Sequence, residues 1–188
     1  MIGFAIDILI DLFLIIFPIS MTLRALKVKP KKLSDLKPAL ERLGFKKISI
    51  KKFFKQMIPL LAALILISLT LSIILTLMQL NDLEQVAVAI NKIQQISPLF
   101  LAYVLIARVS TEDIFFRGFL VNRIGVLRST ALFAILHVFY GSLAEVVGAF
   151  ILGLVLAYGF KKSQNIYPLI GAHLLYNVFA LWMIFRVF

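Results

Sequence analysis

The stretch PLFLAYVLIARVSTEDIFFRGFLV, residues 98–121, is apolar enough for a membrane helix, yet Arg108, Glu112, Asp113 and Arg117 interrupt it. At about 1.5 Å per residue such a segment can cross a hydrocarbon layer of roughly 30 Å. Ionisable groups in that layer are expensive, and they mark function more often than stability. Arg108 with Glu112 and Asp113 with Arg117 are i,i+4 pairs on adjacent helix faces. Two salt bridges locking a bundle would explain them structurally. The functional alternative makes Glu112 a working base, with Asp113 and Arg117 as its supporting frame.

The rest of the chain provides the same setting. Of 188 residues, 62% are hydrophobic and 15% charged, against about 25% charged in a typical soluble domain. The expectation is an all-α, polytopic transmembrane helical bundle, one domain over residues 1–188 with a catalytic core at 98–181. Further apolar stretches run from Ile2 to Leu23, Met57 to Leu80, Thr130 to Phe160 and Tyr167 to Phe188. Gly141 and Ser142 divide the fourth region, whose first part is too short for a full crossing. About six membrane segments result, one short or broken. The N-terminal run has Asp7 and Asp11 where a signal peptide would carry lysines, so it reads as a retained helix. With no cysteine in the chain, disulfides and thiol catalysis are excluded.

Charge placement orients the bundle. Between Arg24 and Lys55 stand twelve Lys or Arg residues against Asp35 and Glu41, whereas the 81–97 connection has Lys92 against Asp82 and Glu84. The positive-inside rule puts the basic 24–55 connection in the cytoplasm and the other outside. The expected location is a prokaryotic cell membrane, with the protein a multi-pass integral one. The net charge of +11 clusters beside membrane helices, which favours membrane lipids with anionic headgroups over nucleic acid as partner. Leu33, Leu36, Leu40 and Leu43, with Gly44 as a stop, suggest a short amphipathic helix, provided that Pro38 lies near its start. Residues 81–95 suggest a second surface helix capping the bundle. Ala149, Gly153 and Ala157 form a small-residue stripe suited to close helix packing, and packing also accounts for Gly171. Glu145, near a helix start, reads as a capping or water-accessible acid.

The chain has only two histidines, and both fall inside apolar runs. Phe133 and His137 lie four apart, as do His173 and Asn177, so each pair shares a helix face. A histidine is suited to proton transfer near neutral pH, and Glu112 with His137 would hold and deprotonate a water. His173 and Asn177 would donate to an oxygen that becomes negative during attack on an amide carbonyl. Glu112, His137 and His173 are also a His2Glu set able to hold catalytic zinc. The HExxH arrangement is missing, and the metal-free form is favoured, with no cofactor.

These residues form three motifs in order: Glu112-Asp113-Ile-Phe-Phe-Arg117, Phe133-Ala-Ile-Leu-His137 and His173-Leu-Leu-Tyr-Asn177. Together they resemble the EExxxR, FxxxH and HxxxN signature of the CPBP intramembrane protease family, which includes the CAAX prenyl protease Rce1 and bacteriocin-processing or immunity homologues. Each motif alone is weak, but all three in this order on successive apolar segments make a strong match. The resemblance implies an intramembrane endopeptidase acting on a membrane-associated peptide or protein, prenylated in part of the family. It implies that Glu112 and His137 activate water, that His173 and Asn177 stabilise the oxyanion, and that Arg117 orients the acidic pair. Asp113 departs from the usual second Glu, being one methylene shorter. Readings from other classes are an ion or proton transporter, since buried acids and histidines also define ion paths, and a non-catalytic immunity or scaffold protein.

Overall fold

A backbone in hydrocarbon must satisfy its own N–H and C=O groups, which helices do internally. Residues 2–187 are described in the computed structural model, and all regular structure among them is helical. Helix α1 spans Ile2–Ala25. A 3-10 turn, Leu33–Leu36, leads into α2, Lys37–Arg42. Helices α3, Ile50–Leu77, and α4, Glu84–Ile96, follow. Helix α5 is the continuous helical run 98–124. Helix α6, Val126–Leu136, continues as the 3-10 turn His137–Tyr140. Helices α7, Leu143–Ser163, and α8, Ile166–Val187, complete the bundle. The expected end of the last segment at Phe188 lies outside the described residues.

Four of these helices, α1, α3, α7 and α8, are long and apolar enough to cross a membrane, and the protein is an integral membrane protein. The other two expected segments are α5, which carries the charges, and the short apolar piece Val126–Tyr140. That piece ends where Gly141 takes φ +71°, a left-handed conformation costly for other residues. Ser142 then starts α7 by accepting from Glu145 N–H at 3.0 Å. Serine caps open α3 and α5 as well, through Ser49 to Lys52 N–H and Ser97 to Phe100 N–H, with Pro98 in the first turn of α5.

Helix α3 packs against α7 and α8, and α6 packs against α7. Leu64, Leu156, Phe160, Ile166, Leu169 and Ala172 are buried at the centre of this assembly. Lipid tails are as apolar as these side chains, so close van der Waals packing carries much of the cohesion. The small residues serve it unequally. A Cβ on Gly153 would lie 2.9 Å from the Thr130 methyl and 3.3 Å from Arg117 Nη2 and from the Phe133 ring, so Gly153 makes room for the guanidinium. A Cβ on Gly171 would meet Met57 and Phe53 at 3.1 Å, as the packing account requires.

The surface helices form as the pattern predicts. Pro38 lies in the first turn of α2, where its missing N–H costs nothing. Leu43 is buried and Gly44 ends the helix at φ +102°, whereas Leu33 is 86% exposed. Helix α4 turns Val86 and Ala87 inward. Its approach is fixed by Asp82, which accepts from Ser142 Oγ at 2.6 Å and from the Leu143 and Ala144 amides at 2.7 and 2.9 Å. Free N–H groups at the start of α7 thus find a carboxylate from the connection before α4.

Candidate active site

Helix α5 is α-helical around Val109–Glu112 and widens into π-helical turns at Val104–Arg108 and Asp113–Leu120. Such widened turns recur at functional sites. Asp113 is fully buried and touches two cations or potential cations at once. Its Oδ1 lies 3.2 Å from Arg117 Nη1, and its Oδ2 lies 3.0 Å from His173 Nδ1. The shorter carboxylate therefore reaches both partners, one on its own helix and one on α8. The Arg117 contact is a charge pair rather than an aligned hydrogen bond, and both terminal nitrogens of Arg117 lack a hydrogen-bond partner among the described residues. The guanidinium instead stacks over the Phe133 ring, 3.9 Å from its centroid, a contact of about 0.5–2 kcal/mol.

His137 lies at the end of α6, its ring 4.4 Å from that of Phe133. Its Nδ1 is 2.9 Å from the Phe133 carbonyl oxygen. A carbonyl can only accept, so Nδ1 carries the proton and Nε2 presents a lone pair in the neutral ring. The same logic applies to His173, whose Nδ1–H donates to the Asp113 carboxylate.

Arg108 does not pair with Glu112. It reaches across to α1, where Nη2 meets Asp7 Oδ1 at 2.6 Å and Nε lies 2.8 Å from Asp11 Oδ1. Thr111 Oγ1 also donates to Asp11, at 2.8 Å, and the Tyr103 hydroxyl donates to its other oxygen. The i,i+4 spacing permitted the intrahelical pair, but two carboxylates on a facing helix offer a cation more than one on its own. The sequence reading, which sets Asp7 and Asp11 only against a signal peptide, does not reach this polar seam.

Glu112, His137, His173 and Asn177 come from α5, α6 and α8 and line one cavity of about 320 Å³. Its walls are mainly apolar, with Leu64 and Leu75 of α3, Val86 and Ile90 of α4 and Leu152 of α7 among them. Helix α4 thus borders the chamber as well as capping the bundle. Glu145 also lines it. Asp113 and Arg117 stand behind His173 and Phe133 rather than in the lining. Among the described residues no three His, Asp or Glu side chains gather closely enough to hold a metal ion, so the zinc set Glu112, His137 and His173 shares a cavity without being assembled as ligands.

The helical bundle thus gathers carboxylate, imidazole and amide groups around one apolar chamber of a membrane protein. Residues 93–179 match the family described as Rce1-like, type II CAAX prenyl endopeptidase. The match takes in all three motifs and stops short of α1 and the basic connection. Comparison with curated proteins and with solved structures gave no match. The description of that family is of an endopeptidase, so the matched segment is similar to a protease.

Proposed function

We propose that the protein hydrolyses a peptide bond of a membrane-associated protein or peptide, with Glu112 and His137 activating water and His173 and Asn177 stabilising the oxyanion. The observation that carries this reading is the convergence of these four side chains, from three helices, on one largely apolar cavity. A water held between the Glu112 carboxylate and His137 Nε2 would attack the scissile carbonyl carbon and give up one proton to that pair. Collapse of the tetrahedral intermediate breaks the C–N bond, and the same proton passes to the leaving amine. The Asn177 amide donates to the oxyanion in any protonation state. His173 donates from Nε2 only when doubly protonated, because Nδ1–H is already committed to Asp113. Asp113 and Arg117 are therefore positioning residues.

The surrounding assignments belong to the same proposal. The basic 24–55 connection faces the cytoplasm and meets anionic headgroups, where Ile50 and Phe54 lie exposed beside Lys51, Lys52 and Lys55. The test uses protein purified in detergent and incubated with C-terminally prenylated peptides and with unmodified membrane peptides, the products being mapped by mass spectrometry. Cleavage by wild type and its loss in Glu112→Gln and His137→Ala are expected, and a chelator is expected to leave the rate unchanged. Equal cleavage by wild type and both variants overturns the assignment, and abolition by chelator would transfer it to the zinc-dependent form.

A further inference from the structure

A second cavity, of about 350 Å³, shares no lining residue with the first and lies where α1, α2 and α5 end together. Its volume falls within the roughly 300–1,000 Å³ of small-molecule sites. Thr22 of α1, Arg42 of α2 and Asn122 and Arg123 of α5 supply its polar groups, and no carboxylate lines it.

The two guanidiniums have donors to spare. Arg123 uses Nη2 on the Met21 carbonyl at 3.1 Å and lies over the Phe119 ring, 4.6 Å from its centroid. Arg42 has no ion-pair or hydrogen-bond partner among the described residues. The adjacent acid, Glu41, lies 3.9 Å from Lys37. A guanidinium presents five N–H donors in a planar fork that fits tetrahedral oxyanions. The cavity floor is tightly built, since a Cβ on Gly118 would lie 2.7 Å from the Leu43 carbonyl oxygen. Gly118 directly follows Arg117, so an occupant here would touch the same widened helix that carries the candidate active site.

We infer that this cavity binds a phosphate oxyanion through Arg42 and Arg123, clasping α1, α2 and α5 together. The inference does not rest on the protease reading. The phosphate belongs either to an anionic lipid headgroup, which the twelve basic residues of the 24–55 connection would concentrate, or to a soluble phosphate.

Thermal unfolding of the whole protein in phospholipid-free detergent separates the sources. The probes are inorganic phosphate and phosphatidylglycerol, against sodium chloride at matched ionic strength and phosphatidylcholine. A rise of about 5–10 °C is expected at roughly a hundredfold excess over Kd. A rise with both anionic probes assigns a general phosphate site, and a rise with phosphatidylglycerol alone assigns a headgroup site. Arg42→Gln, at an exposed position without partners, should keep the basal unfolding temperature and lose the shift, whereas Lys51→Gln with Lys52→Gln should retain it. An equal shift in wild type and Arg42→Gln, or no shift with either anionic probe, overturns the inference.

Discussion

Replacing Asp113 by Asn isolates the charge that holds the candidate site together. The carboxylate has no exposed surface and faces Arg117 at 3.2 Å and His173 at 3.0 Å. Removing one partner of a buried ion pair costs about 3–5 kcal/mol, because the remaining charge is left uncompensated. The amide oxygen of Asn still accepts from one neighbour but not from both, which places Asp113→Asn near the lower end, about 3 kcal/mol. For a chain of this length that corresponds to a fall of about 6–12 °C in unfolding temperature. Differential scanning fluorimetry in detergent measures it, alongside cleavage of a membrane peptide. The double variant Asp113→Asn with Arg117→Met removes both charges and should recover most of the lost stability, while activity stays low because His173 has lost its anchor. Wild-type stability in Asp113→Asn, or a double variant less stable than the single, would refute the charge-pair reasoning.

Asn177→Ala should lower kcat by about 10²–10³ with little change in unfolding temperature, as loss of one oxyanion donor does elsewhere, and steady-state kinetics checks it. Gly153→Ala places a methyl against Thr130, Arg117 and Phe133 and should cost about 1–3 kcal/mol as overpacking, read from the melting curve. The Ser142 hydroxyl, with the Leu143 and Ala144 amides, holds the Asp82 carboxyl below its ordinary value. The folded state therefore gains from Asp82 above the ordinary carboxylate pKa near 3.9, and that gain disappears as pH falls through the lowered folded value. Asp82→Asn should cost about 1 kcal/mol at neutral pH and flatten this acid limb, as melting curves across pH 3–7 would show.

Much of the bundle is legible in the apolar runs. The break at Gly141, the stop at Gly44 and the surface helix over 84–96 all follow from local chemistry, since glycine conformation and side-chain periodicity are properties of short segments. The Phe133–His137 and His173–Asn177 pairs are legible for the same reason: spacing of four fixes a helical face. What spacing does not fix is the partner on another helix. His173 with Asp113, Arg108 with Asp7 and Asp11, and Asp82 with the start of α7 each join residues at least 60 apart in the chain. One signal for the Arg108 seam was available. Asp7 and Asp11 are an i,i+4 pair of acids in an apolar helix, and buried acids demand cations. Arg108 and Arg117 are the basic residues within the 98–121 run. The widened turns of α5 left no such signal, because the composition of a π-helical turn does not differ from that of an ordinary one.

The seam between α1 and Arg108 has a consequence for what counts as the working unit. Glu112 stands one helical turn from an arginine that spacing would let it hold, and two acids about a hundred residues earlier hold that arginine instead. A carboxylate locked to a guanidinium is a poor proton acceptor. The first helix, outside the family-matched segment, thus supplies the carboxylates that hold Arg108. A fragment trimmed to residues 93–179 would keep every motif and lose the two acids that, on the mechanism proposed above, draw Arg108 away from Glu112.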